Sequence, residues 1–210
     1  SGYIAAAVTL TEFGAANILT LTDFVDTDAI TIELATDGAA DALTLNLAAV
    51  DSIANDAADG ETDAVIVAEE FETINLSSTA TPETELTAAD YVNAVDFNAT
   101  AMKTLVITGD AMAEVTFTAA EALTLVSASG NTAGVSVDVS TAAAAGGISF
   151  SGTAADDVYA ATANGDTIQA GGGADDITLG AGNDVIRFSA ATDSRLVLTD
   201  TTSPPDGTAD

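Results

Sequence analysis

Four aspartates, Asp156, Asp166, Asp175 and Asp184, recur between Gly152 and Arg187 at intervals of 10, 9 and 9 residues. The blocks that carry them read SGTAADDVY, ATANGDTIQ, AGGGADDIT and LGAGNDVIR, with Ala160 standing alone between the first and the second. Two residues after each aspartate comes a β-branched apolar residue: Val158, Ile168, Ile177 and Ile186. The chemistry this pattern supports is hard-cation binding. Glycines permit positive φ, so that turn carbonyls converge, and the aspartate adds a charged oxygen. The turn positions are Gly152 and Ala154, Thr162 and Asn164, Gly171 and Gly173, and Gly180 and Gly182.

Such turns need strands to hold them. The three residues after each aspartate suit a short strand, so one nonapeptide is half a rung and two make a rung of about 18 residues. Turns one rung apart then share an edge at the inter-strand spacing, roughly 4.8 Å. A cation between them receives carbonyls from both turns and a carboxylate from each. The expected pairs are Asp156 with Asp175 and Asp166 with Asp184, with each β-branched residue stacked inward on its equivalent. The site built on Gly171, Gly173 and Asp175 is expected to be the best formed, because the first two blocks depart from glycine at their turns.

The rest of the chain fits such an architecture. Among 210 residues, 33 acidic side chains face three basic ones, giving a formal net charge of −30 with no histidine. No basic patch for nucleic acid or an anionic membrane can be assembled, and cations are the natural partners. Hydrophobic residues nevertheless make up 48% of the chain, which opposes disorder. They are mostly Ala, Val, Leu and Ile among abundant Thr, a composition suited to strands with a small, regular interior. Without cysteine there are no disulfides, and bound cations are the expected substitute.

Alternating runs such as NILTLTDF, ALTLNL, TINLSS, KTLVITGDA, AEVTFTA and EALTLVSAS read as half-buried strands separated by Asp, Gly, Ala and Asn turns. AEEFE is read as a short helical insertion or a corner. TPETELTAAD permits a capped helix starting near Thr81 or Pro82. The expected fold is all-β: a right-handed parallel β-helix or β-roll solenoid with calcium-binding turns. At roughly 20 residues per rung it has about ten rungs and is about 50 Å long. Residues 1–150 form an irregular solenoid with loops at about 50–60 and 79–90. Residues 151–187 continue it as nonapeptides, and 188–210 supply a cap and a loose tail. Arg195 falls at an inward position, so the stack is expected to close there, with Asp193 as a further candidate ligand. Both ends of the chain look cut from a longer protein. No run approaches 18 consecutive apolar residues and no basic region precedes the first apolar stretch, so neither a membrane span nor a secretory leader is expected.

The nonapeptides GGGADDITLGAGNDVIRF resemble the RTX superfamily of calcium-binding repeats. The strands FETINLSST, KTLVITGDA and EALTLVSAS are similar to the C-terminal part of alphaproteobacterial surface-layer proteins of the Caulobacter type. The resemblance implies Ca2+ as the cofactor, export by type I secretion, folding in extracellular calcium and self-association into a surface lattice. A cell-surface glycan is a further implied partner, through a region outside this chain. The alternative is an RTX adhesin segment or the calcium-folded secretion module of a larger exoenzyme.

Other chemistries find little support. A flexible linker does not keep four aspartates and four apolar residues in one register. An EF-hand, a phosphate loop and a dinucleotide fingerprint each lack their required residues. Without His or Cys, the Ser-His and Cys-His nucleophiles and a histidine-bound zinc are excluded within the chain. A glycosidase-like carboxylate pair remains formally open, but sugar-stacking aromatics are scarce, so no enzyme is expected. Asp110, after Gly109, is the best upstream candidate for a further cation, while Asp138, Glu114 and Glu121 read as solvated charges.

Overall fold

A computed structural model describes residues 7–14, 17–22, 29–48, 64–80, 92–188 and 193–200. The chain alternates between two sheets, because each strand is too short to do more than cross one face before a turn redirects it. One sheet holds β1 (Val8–Phe13), β3 (Ile30–Leu34), β5 (Ala64–Val67), β7 (Val92–Asn98), β9 (Met112–Ala119), β11 (Val135–Asp138), β13 (Val158–Ala160), β15 (Gly173–Leu179) and β17 (Asp193–Asp200). The other holds β2 (Ile18–Thr22), β4 (Ala42–Ala48), β6 (Thr73–Thr79), β8 (Thr104–Gly109), β10 (Leu125–Asn131), β12 (Ser149–Ser151), β14 (Thr167–Gln169) and β16 (Val185–Arg187). Every pairing is parallel and follows chain order. Among the described residues there is no helix, and hence none long and apolar enough to cross a membrane. The helix considered near Thr81 lies outside the described residues.

The core lies between the sheets and is built by like residues stacking on like. In the eight-stranded sheet one inward rank runs Leu43, Ile74, Leu105, Val126, Phe150 and Ile168, all at 0 or 1% exposure. Facing it in the nine-stranded sheet, Val95, Val115, Val137, Tyr159 and Ile177 form the corresponding rank. Period-two alternation thus marked the strands correctly: β4 and β6 both alternate strictly between buried and half-buried residues. Pairwise ring contacts, such as Phe13 edge-on to Phe71, fill the wider rungs.

Rungs are not of constant length. Asn75 pairs with Thr44 and with Val106, a step of 31 residues that also separates Asp41 from the Glu72 carboxylate it bonds. The step falls to 18 in the nonapeptides. With nine strands in one sheet and eight in the other, the stack is about 38 Å high at a spacing of roughly 4.8 Å. That is shorter than the length of about 50 Å expected from roughly 20 residues per rung, because the step upstream is as long as 31 residues.

Upstream turns leading into the eight-stranded sheet share a device. Phe71 N–H bonds the Ala68 carbonyl, Met102 the Ala99 carbonyl, Leu123 the Ala120 carbonyl and Ala142 the Val139 carbonyl. The sequences AEEF, ATAM, AEAL and VSTA are therefore one turn repeated, with its first and last residues buried. AEEF is a corner rather than a helical insertion. At the opposite edge Gly109 adopts φ +117° where a Cβ would sit 1.8 Å from the Ser78 carbonyl oxygen, whereas a Cβ on Gly146 would meet nothing within 4 Å. Gly109→Ala is expected to cost about 1–3 kcal/mol and Gly146→Ala less than about 0.5 kcal/mol. Urea unfolding midpoints of the two variants check this contrast.

Candidate functional site at the stacked aspartates

The nonapeptide turns fall on the two edges of the stack. One edge carries the turns between β13 and β14 and between β15 and β16, with Asp166 and Asp184. The other carries those between β12 and β13, with Asp157, and between β14 and β15, followed by Asp175 near the start of β15. The first block therefore differs from the expected alignment. Tyr159 pairs with Ile177 and is fully buried, while Val158 pairs with Asp176 and is 46% exposed. The block starts at Gly152, the spacing is nine throughout, and its inward residue is Tyr159 rather than Val158. Its buried carboxylate is Asp157; Asp156 is exposed.

This correction changes one pair and keeps the other. Asp166 N–H donates to Asp184 Oδ1 at 2.8 Å, so the expected neighbours across that rung are brought together. On the other edge Asp157 N–H donates to Asp175 Oδ1 at 3.0 Å, in place of the expected Asp156–Asp175 pair. Asp156 Oδ1 instead accepts the Ala174 N–H at 2.7 Å. It lines a cleft of about 270 Å³ with Ala174, Asp175, Asp176 and Val197.

Each buried aspartate ties its own turn to the rung before it. Asp157 Oδ1 accepts Val135 N–H at 2.9 Å, and Oδ2 accepts Thr153 N–H at 2.7 Å. Asp166 accepts the N–H groups of Ile148 and Thr162. The Thr153 and Thr162 hydroxyls donate to the same carboxylates at 2.9 and 3.1 Å. Threonine at the second turn position is thus a capping donor four residues before its aspartate. The T-x-x-x-D spacing in both blocks was the available signal, and it also marks the true register of the first.

In the last two blocks that position is glycine. A Cβ on Gly171 or Gly180 would lie 1.8 or 1.5 Å from the carbonyl oxygen of Thr153 or Thr162, one rung back. The second turn positions thus stack backbone on backbone. Gly173 and Gly182 also have positive φ, at 111° and 109°. Gly152 is buried against the Ala170 carbonyl, in the corrected block's first position. Ala154 is exposed, and Asn164 donates its side-chain amide to the Ala144 carbonyl at 3.0 Å. Asp193 stands opposite Gly173 in the β15–β17 ladder, while Asp175 stands opposite Leu196. The β17 strand extends the nine-stranded sheet across the position of Arg195, which pairs with Ala174 beside a register shift.

Electrostatics at these edges favour a neutralising group. Burial pushes the Asp157 carboxyl up from 3.8 to about 6 against the hydrogen bonds from Thr153 and Val135, and the Asp175 charge adds to the rise. Asp166 is raised by burial in the same way, with the Asp184 charge adding to it. Tyr159, stacked on Phe150 at 4.1 Å, is pushed well above the ordinary tyrosine range by burial and then by Asp166 and Asp184. Its hydroxyl has no hydrogen-bond partner among the described residues. The donors at the edges are hard oxygens, carboxylate and carbonyl, which is the set calcium takes. Among the described residues no three or more acidic side chains gather as a metal-holding group, so calcium here would draw on carboxylate pairs and turn carbonyls.

Upstream, side chains reach back one rung without a nonapeptide. Glu72 Oε2 accepts Asp41 N–H at 2.8 Å and Glu70 Oε2 accepts Leu34 N–H at 2.8 Å. The Lys103 ammonium stands 3.9 Å from Glu72. Asn131 bonds the Ala111 carbonyl through its amide nitrogen and takes the N–H groups of Ala133 and Gly134 on its oxygen. Asp110, the upstream candidate, is exposed and accepts Ala80 N–H at 3.1 Å. Compared with known proteins, the chain matches no family model, and neither a curated protein nor a solved structure is detectably similar to it.

A raised carboxyl pKa means that the folded chain binds more protons than the unfolded one between 3.8 and about 6. Its stabilising contribution is complete below the lower value and is lost as the pH rises through the upper one. Without divalent cations the urea midpoint is expected to fall as the pH rises across that window, and Asp157→Asn to flatten the fall. A midpoint that rises across the window contradicts this assignment.

Proposed function

We propose that this chain is an extracellular structural protein, a right-handed parallel β-solenoid whose nonapeptide rungs are held by calcium and which assembles with its own kind into a surface layer. The observation that carries the reading is the pairing of aspartates one rung apart, buried Asp157 with buried Asp175 and buried Asp166 with half-buried Asp184. Buried carboxylates stacked at strand spacing repel one another, and hydrogen bonds from backbone N–H groups offset only part of that cost. A divalent cation between the turns supplies the missing positive charge and couples binding to folding.

The charge balance supports the extracellular setting. At −30 the chain resists compaction wherever calcium is scarce and folds where it is plentiful. The resemblance of its nonapeptides to RTX repeats points the same way, and the Ala/Thr-rich strands favour a surface-layer role over an adhesin or a secretion module. A structural role also suits a chain that lacks the usual nucleophile–base pairs.

Titrating calcium into EGTA-treated protein is expected to restore β circular dichroism with a midpoint of about 10⁻⁴ to 10⁻³ M. Asp166→Asn and Asp184→Asn are each expected to raise that midpoint about tenfold, roughly 1.4 kcal/mol. Full β content and an unchanged melting temperature in EGTA would falsify the calcium role.

A further inference from the structure

The two sheets have the same geometry but opposite surface chemistry. No strand of the eight-stranded sheet, β2 through β16, contains a single Asp or Glu. In the nine-stranded sheet every strand except β5 and β13 contains at least one. Stacking of like charges on neighbouring strands disfavours acids in any parallel sheet. The nine-stranded sheet tolerates Glu33, Asp96, Glu114 and Asp138 under that same constraint, so stacking alone does not explain their absence opposite.

What the eight-stranded sheet presents instead is a field of hydroxyls and amides. One outward rank runs Thr44, Asn75, Val106, Ser127, Ser151 and Gln169 in unbroken register. Exposed apolar residues concentrate here as well. Of the four large apolar residues exposed on strands among the described residues, Ile18, Leu125 and Val185 lie on this face and Val158 on the other sheet.

We propose that this carboxylate-free face is the surface on which a second copy of the chain docks. The docking rests on the self-assembly proposed above and names the surface that carries it. Two bodies of charge −30 repel on approach, and this face sets the carboxylates of the other sheet farthest from the contact. The sheets are about 10 Å apart, comparable with the Debye length of about 8 Å in physiological salt. Ser, Thr, Asn and Gln both donate and accept, so the face is complementary to itself, as a two-fold contact requires. Seven inter-strand steps by three to seven residues give on the order of 600 Å² per copy, or about 1,200 Å² for the pair, the lower bound of specific interfaces. The face lacks both the outward aromatic rings on which a polysaccharide stacks and the basic cluster that nucleic acid requires.

Sedimentation velocity of the calcium-loaded chain across a concentration series tests the assignment. Wild type is expected to associate, and Asn75→Asp with Ser127→Asp to weaken association at least tenfold while leaving circular dichroism and melting unchanged. Thr104→Asp serves the same purpose if the double variant fails to fold. Thr31→Asp, outward on the nine-stranded sheet, is expected to associate like wild type. Association that ignores the first substitutions, or that Thr31→Asp abolishes, overturns this surface and leaves self-assembly standing. A chain that stays monomeric at all concentrations overturns both, and a monomer retained on a neutral polysaccharide column assigns the face to a glycan instead.

Discussion

Each strand of this protein pairs in parallel with the strand one rung back, so the neighbours of a residue are residues at its own position in the repeat. That constraint underlies the rest of the structure. Apolar residues meet apolar residues, and the Leu43-to-Ile168 rank is apolar at every step. Backbone at a turn meets backbone at the turn before, which is why glycine is needed where Thr153 and Thr162 carbonyls approach. Carboxylates meet carboxylates, and the energetic question at every edge becomes how their charge is compensated.

The chain answers that question differently along its length. From Ala68 to Ala142 the turns into the eight-stranded sheet close on buried apolar residues, and Asn131 closes one opposite turn with a neutral amide. Glu72 bonds a backbone N–H and has Lys103 nearby. From Gly147 onward Asp166 and Asp184 stand at the turns into the eight-stranded sheet and Asp157 and Asp175 at the opposite edge, each accepting a backbone N–H and each one rung from another. Among the described residues, buried carboxylates, with raised pKa values at Asp157 and Asp166, are thus confined to the nonapeptides. The cost of buried charge is local even though the acidity of the chain is general.

Much of this was legible in the residues. Alternation located strands such as ALTLNLA and TINLSST, and the nine-residue period located the edges where aspartates stack. The first block was misaligned for a definite reason. The doublet Asp156-Asp157 offers two registers, and Val158 fits the β-branched pattern of its successors better than Tyr159 does. Packing reverses that preference: Tyr159 fills the space against Phe150, and Val158 faces outward. The recurrent turn AEEF, ATAM, AEAL and VSTA escaped notice because only the spacing of its first and last residues repeats, at intervals set by unequal rungs.

By itself the sequence determined an all-β chain, its acidity, the oxygen chemistry of its repeat and the exclusion of histidine and cysteine chemistry, since these depend on residue type and local period alone. Only the tertiary structure decided which aspartate of a doublet is buried, which turns share an edge and which sheet each strand joins. The sidedness of charge belongs to this second class. Apart from β5 and β13, acidic and carboxylate-free strands alternate along the chain, and they become two faces only when alternate strands are gathered into separate sheets.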